Sequence, residues 1–283
     1  MTSSDKIVSR YGLVLLAISL LPALIWWMFF PGYFGADDAY IHKAIVDSWV
    51  GGLGWGVNPG SPVGLSTAPL FTLMMSALAQ FPGDLLFKGS LVTQFASVVG
   101  CLFAGLTASH IGNNRAAGII ACLFAATSAV LWRLTGAFME TTIAFAAVAL
   151  VVHVYYRLCI PSPDAARPIE YFGLGVLCGC AALLRPELGM LPFLIFASMV
   201  IMSVPCAIMR SAAMFYGAGA AGVFYVIFAL QTWGSVLPST YSAKTTDALN
   251  VLNLKILIQL GGVVVSSALG CLLYTSPSPR DWI

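Results

Sequence analysis

Two adjacent carboxylates stand just beyond an uncharged apolar run: Gly35-Ala-Asp-Asp-Ala-Tyr-Ile-His-Lys43 follows Leu13–Phe30. Adjacent carboxylates can divide labour. Either Asp37 or Asp38 could take a proton from a hydroxyl while its neighbour orients the acceptor or holds a metal. His42, one turn beyond Asp38, could face the same site. Arg185-Pro-Glu187 closes a short apolar run, and a guanidinium fork matches a phosphate. Lys244 would meet a phosphate as a point charge, and Glu140 stands just ahead of Thr141-Thr142. Each residue also has a plainer reading. Asp38 could cap a helix, and His42 could be a polar surface residue. Arg185 and Glu187 could form a local pair, Lys244 could be an interfacial anchor, and Glu140 could complement a helix N-terminus.

The elements that must position these groups are dictated by composition. The chain has 283 residues, 59% hydrophobic and 8% charged, and its mean hydropathy is +0.92. A soluble domain carries about 25% charged residues. There is too little charge here to cover a water-facing surface, so the bilayer is the expected solvent. A net charge of +2 without a Lys/Arg run excludes nucleic acid as a partner. Cys101, Cys122, Cys178 and Cys180 lie in apolar runs, with Cys159 and Cys206 at run ends, so structural roles are expected. Cys178-Gly-Cys180 is too closely spaced for a usual zinc pair. Lys6 and Arg10 precede an apolar run longer than a signal-peptide h-region, and Pro31-Gly-Tyr-Phe is not a small-x-small cleavage site. An uncleaved anchor is expected.

A spanning helix needs about 20 mostly apolar residues. Candidate spans are Gly12–Phe30, Gly89–Ile111, Ala116–Trp132, Thr141–Tyr156, Tyr171–Leu184, Leu188–Val204, Ser211–Gln231 and Leu254–Gly270. Pro69–Phe81 is too short to cross and suits an interfacial or re-entrant helix. If it does not cross, Lys6, Arg10, Arg115, Arg157, Arg167 and Arg210 lie inside, as the positive-inside rule favours. Asp37, Asp38, Glu140, Arg185, Glu187 and Lys244 then all fall at the outer face. The segment from Pro31 to Lys88 becomes one long outer loop. Within it, Asp38 is expected to cap a helix whose Ile41, Ile45 and Trp49 form an apolar stripe opposite His42 and Lys43. The glycine-rich Gly51–Gly60 lacks the strand-to-helix setting of a nucleotide loop.

Four segments resemble, in order, motifs of the GT-C membrane glycosyltransferases, closest to the arabinofuranosyltransferase-like branch. Asp37-Asp-Ala-Tyr-Ile41, with Gly51–Gly60 and Ser66-Thr-Ala-Pro-Leu70, is similar to the family's first outer loop. Gly136-Ala-Phe-Met-Glu-Thr141 resembles its G-[LM]-E-T element. Cys180-Ala-Ala-Leu-Leu-Arg-Pro-Glu187 resembles L-x-R-P-E-G, and Leu237-Pro-Ser-Thr-Tyr-Ser-Ala-Lys244 resembles P-N-x-Y-x-A-K. Ser239 stands where the family has Asn, Leu188 where it has Gly, and Gly64-Leu-Ser-Thr where E-G-Y-T is common.

The resemblance implies an all-α, polytopic transmembrane bundle with a long outer loop bearing interfacial helices. It implies a donor sugar on polyprenyl phosphate, handled at the extracytoplasmic face of the cell membrane. Asp38 or Asp37 would be the general base on an acceptor hydroxyl of a glycan, lipid or protein, which attacks the anomeric carbon with inversion. Arg185 and Lys244 would stabilise the leaving phosphate, and His42, Glu140, Glu187 and Tyr241 would bind substrate. A divalent cation could sit at Asp37. The competing class is a transporter or flippase of lipid-linked sugars, which calls for midplane charges and internal repeats; neither is evident. Cys271–Asp281, CLLYTSPSPRD, resembles a translated sequencing adaptor. Residues 1–270 are therefore expected to be the N-terminal part of a longer transmembrane domain, and 271–283 a non-native tail.

Overall fold

The computed structural model describes residues 3–35, 37–58, 60–64, 66–159 and 167–236, all within the compact unit Met1–Pro238. The expected span Leu254–Gly270, Tyr241, Lys244 and the C-terminal tail lie outside the described residues. Those described are helical, with no strand among them. The helices are α1 (Ser3–Ser19), α2 (Leu21–Phe29), α3 (Asp37–Val50), α4 (Pro69–Ala79), α5 (Leu85–Ile111) and α6 (Arg115–Ala126). They continue with α7 (Ala129–Thr135), α8 (Thr141–Cys159), α9 (Pro168–Leu184), a 3₁₀ turn at Pro186–Met190, α10 (Leu191–Ile201) and α11 (Ala207–Trp233).

Four stretches are long and apolar enough to cross a membrane: Arg10–Phe29, Leu85–Ile111, Thr141–Cys159 and Ala207–Trp233. The single span expected over Ala116–Trp132 is interrupted: α6 and α7 meet at a bend of 63°, the shape of a broken span or a re-entrant loop. The cause is local. The Thr127 hydroxyl donates back to the Leu123 carbonyl at 2.7 Å, and Ser128 caps the new helix by accepting from the Leu131 amide. Short hydroxyl side chains offer the backbone such alternatives to continuous helix. α4 has 11 residues, about 16 Å of helix, roughly half the hydrocarbon thickness.

Close backbone approach orders the bundle. A Cβ at Gly175 would lie 1.9 Å from the Met214 carbonyl oxygen, and one at Gly217 would lie 2.1 Å from that of Phe172. Small residues thus bring α9 and α11 into backbone contact, as in membrane-helix pairs generally. α5 and α8 run in the same direction. Gly89 sits against Phe138 and Gly100 against Phe145, while Thr107 bonds His153 at 3.1 Å. Consequently the segment from α3 to the start of α5 shares one end of the bundle with Glu140 and Arg185. The turns around Asn113 and Ser203 and the end of α8 lie at the other.

A cluster of Phe71, Met75, Phe138, Ala39 and Val46 fills the α3 end. Burying a residue the size of Phe71 contributes about 1.5–3 kcal/mol, so this cluster sets where α3 and α4 can lie.

Candidate functional site

The turn into α3 depends on Gly35. Its φ is +117°, a conformation that only glycine adopts readily. A Cβ there would meet the Cβ atoms of Ala39 at 3.0 Å and Ala137 at 3.5 Å. Beside it, the Phe138 amide donates to the Phe34 carbonyl at 2.6 Å. Gly136 lies under Trp26, whose ring would be 2.0 Å from an added Cβ. Two segments about a hundred residues apart in sequence are thereby clamped together, one leading into Asp37-Asp38 and the other into Glu140.

Asp37 and Asp38 both lie in the first turn of α3 and are exposed. The helix begins at Asp37, so Asp38 sits inside it and is not the residue ahead of it that the sequence suggested. Carboxylates in a first turn still gain about 0.3–1 kcal/mol from the free N–H groups. Neither carboxylate is in an ion pair with another described residue.

His42 lies one turn further along and is only 5% exposed. The sequence placed it on the outward face opposite Ile41, Ile45 and Trp49. The structure rotates that face: Ala39, His42, Ile45 and Val46 are buried, whereas Ile41 is 40% and Trp49 37% exposed. The reason is that the ring finds partners on other elements. Its Nδ1 lies 3.0 Å from the Thr72 hydroxyl on α4, and Nε2 is 3.6 Å from Glu140 Oε2. The Phe71 ring meets it edge-on at 5.0 Å. Thr72 is also 2.9 Å from the Ser66 hydroxyl, which accepts from the Ala68 amide. With the ring proton on Nε2 facing the carboxylate, Nδ1 accepts from Thr72.

Glu140 directly precedes α8, and its carbonyl accepts the first helical bond, from Ala144. It is 8% exposed. A buried carboxylate is costly unless it is paired, and this one has two partners. Besides His42, Arg185 Nε lies 4.0 Å from Oε1, and Arg185 also reaches Glu187 at 3.4 Å. Burial pushes the Glu140 carboxyl up. The hydrogen bond with His42, its own backbone amide and the Arg185 charge outweigh that, leaving it below the ordinary carboxylate value. Arg185 ends α9 and is half-exposed. Its guanidinium is thus oriented by carboxylates while remaining open to a further anion.

The structure therefore joins His42, Glu140, Arg185 and Glu187 in one chain of contacts, with the Asp pair one turn of α3 away from His42. Sequence reasoning missed Thr72 and Ser66 as members. Their only signal was a pair of hydroxyl residues flanking Pro69 at the start of an otherwise apolar helix.

The glycine-rich segment folds back on itself. The Val63 amide donates to the Trp55 carbonyl at 2.7 Å, and Trp55 is fully buried against Trp49, Phe228 and Trp233. This loop fastens the end of α3 to the end of α11. Among the described residues no group of three or more His, Cys, Asp or Glu side chains could hold a metal ion. The Asp pair thus has no further donors of these types among the described residues. Neither a protein-family model nor a curated protein matches this chain.

Proposed function

We propose that the chain is a GT-C-type membrane glycosyltransferase that moves a sugar from a polyprenyl-phosphate donor to an acceptor hydroxyl at the extracytoplasmic face. The observation that supports this is the meeting of three separate motif segments around Glu140: α3 through His42, the Gly136–Thr141 element through Glu140, and Arg185-Pro-Glu187 through Arg185. Bilayer insertion disfavours ionisable groups by several kcal/mol each, and ionisable groups gathered at one end of an apolar bundle fit a site where charge develops. The four apolar helices fit a multi-pass membrane protein.

In this reading Asp37 or Asp38, exposed at the start of α3, accepts the proton of the acceptor hydroxyl as its oxygen attacks the anomeric carbon. The bond from that carbon to the donor phosphate oxygen breaks on the opposite side, and the configuration inverts. Negative charge grows on the leaving phosphate. Arg185 answers it, with Lys244 as the further cation that the motif implies. A pre-oriented donor counts most where charge appears only in the transition state. Glu140 and His42 act as positioning residues. Glu140 turns the guanidinium, and His42 ties the helix carrying the Asp pair to Glu140 and α4. Glu187 competes with a phosphate for the same fork, so it sets how readily Arg185 is released to substrate.

The test is sugar transfer from a polyprenyl-phosphate donor by the purified chain. Asp37→Asn and Asp38→Asn separately identify the base, whose loss lowers turnover by about 10²–10⁴-fold. Undiminished turnover in both variants and in the double variant would overturn the assignment.

A further inference from the structure

Two histidines that the proposed mechanism does not use face each other at the end of the bundle opposite Glu140. His110 stands in the last turn of α5 and is exposed, and His153 is half-buried on α8. Their ring centroids are 5.7 Å apart. The Tyr156 hydroxyl donates to the His110 carbonyl at 2.9 Å, which holds the last turn of α5 against α8. The His110 ring also stacks on Tyr156, and Phe103 backs His153 at 5.1 Å.

Hydrogen-bond counting fixes the tautomer of His153. The Thr107 hydroxyl has one proton, and it goes to the Phe103 carbonyl at 2.7 Å. Toward His153 Nδ1, 3.1 Å away, Thr107 can only accept. Nδ1 therefore carries the ring proton, and Nε2 keeps a bare lone pair. Metal-binding histidines are held in this way, the second nitrogen donating to a neighbour that fixes tautomer and ring direction. The spacing agrees. With each nitrogen about 2.0–2.1 Å from an ion, two imidazole centroids lie roughly 5 Å apart at a tetrahedral angle and roughly 6.5 Å apart across it. The observed separation falls between these limits. The carbonyl end of α5 adds partial negative charge beside His110. Arg157 opposes a cation, but it is exposed and solvent weakens its charge. One histidine would be enough to complement the end of α5; the second, fixed with its lone pair bare, is not needed for that.

We propose that His110 and His153 form a two-histidine site for a divalent transition-metal ion that favours imidazole, such as zinc, nickel or copper(II). No third His, Cys, Asp or Glu joins them among the described residues, so water completes the coordination. The bound ion ties the last turn of α5 to α8. The site stands independently of the glycosyltransferase reading above, and sugar transfer does not require it.

The experiment adds copper(II), zinc or magnesium to the full chain in detergent. The copper(II) EPR spectrum should show coupling to two imidazole nitrogens in the wild type, and to no more than one in His110→Ala or His153→Ala. Zinc should raise the unfolding midpoint of the wild type and leave that of either variant where it was. Thr107→Val removes the acceptor for Nδ1–H and should weaken zinc binding, read by calorimetry, about 10–100-fold. Excess magnesium, a hard ion that prefers oxygen, should displace neither metal. His110 is exposed, so His110→Ala keeps the fold, and its metal-free unfolding midpoint checks this. Two-nitrogen coupling that persists in both histidine variants overturns the proposal. So does a wild type that binds no zinc, a zinc affinity untouched by Thr107→Val, or displacement by magnesium.

Discussion

The two ends of the helix pair α5 and α8 differ in where they keep carboxylates. At the α3 end a buried carboxylate, Glu140, is engaged by His42 and Arg185, which come from parts of the chain far from it and from each other. At the far end, His110 and His153 face each other with ring centroids 5.7 Å apart, and Tyr156 donates to the His110 carbonyl. Those groups belong to the two adjacent helices, and no described carboxylate joins them in an ion pair. At the far end His110 and Arg157 stay exposed, and the one cation buried there among the described residues, Arg210, lies over the Tyr171 ring at 5.5 Å. The near end buries a carboxylate and cross-links it across α3, α4, α8 and α9. Burying an ion pair is a weak source of stability, so groups kept in that state are better explained by what they can do.

The largest expected effect at the near end is on activity, and the Asp pair carries it. The next largest is on stability. Glu140→Ala removes the shared partner of a buried ring and a guanidinium, and should lower the unfolding free energy by about 1–3 kcal/mol. Thermal unfolding in detergent measures this, and an unchanged midpoint would mean that the contacts do not hold the elements together.

Acid offers a gentler way to break the same contacts. The Glu140 carboxyl lies below its ordinary value of 4.5 in the folded protein. Its contribution to stability is therefore complete above that value and is lost as pH falls through the folded value. The stability difference between wild type and Glu140→Gln should shrink as pH is lowered below about 4.5, and a difference independent of pH would contradict the pairing. The smallest effect belongs to the far end. His110→Ala and His153→Ala should each cost no more than about 1 kcal/mol and leave transfer intact.

How far the sequence could carry this contrast depends on the range of each interaction. The long helices were legible because hydrocarbon demands apolar length, and α5, α8 and α11 lie where the runs predicted. Thr127 and Ser128, two small polar residues inside an apolar run, gave little sign that their hydroxyls would break a helix. The face of α3 was misread for a physical reason. The stripe pattern of a membrane-surface helix places His42 on the polar side, but the ring is buried because it finds partners on other elements, while Ile41 and Trp49 face outward. Those partners, Thr72 and Glu140, lie far along the chain, and no local periodicity announces them. The acids and bases themselves were visible as exceptions in an apolar sequence. Their meeting was not visible, because it depends on Gly35 and Gly136 admitting close contact between distant segments.

The central claim is that chemistry resides at the near end alone. One assay tests it: sugar transfer from a polyprenyl-phosphate donor by the purified chain, by the Asp37→Asn/Asp38→Asn double variant and by the His110→Ala/His153→Ala double variant. Turnover lost in the first double variant and retained in the second is the predicted result. Turnover that survives loss of both carboxylates, or that vanishes with the two histidines, would contradict it.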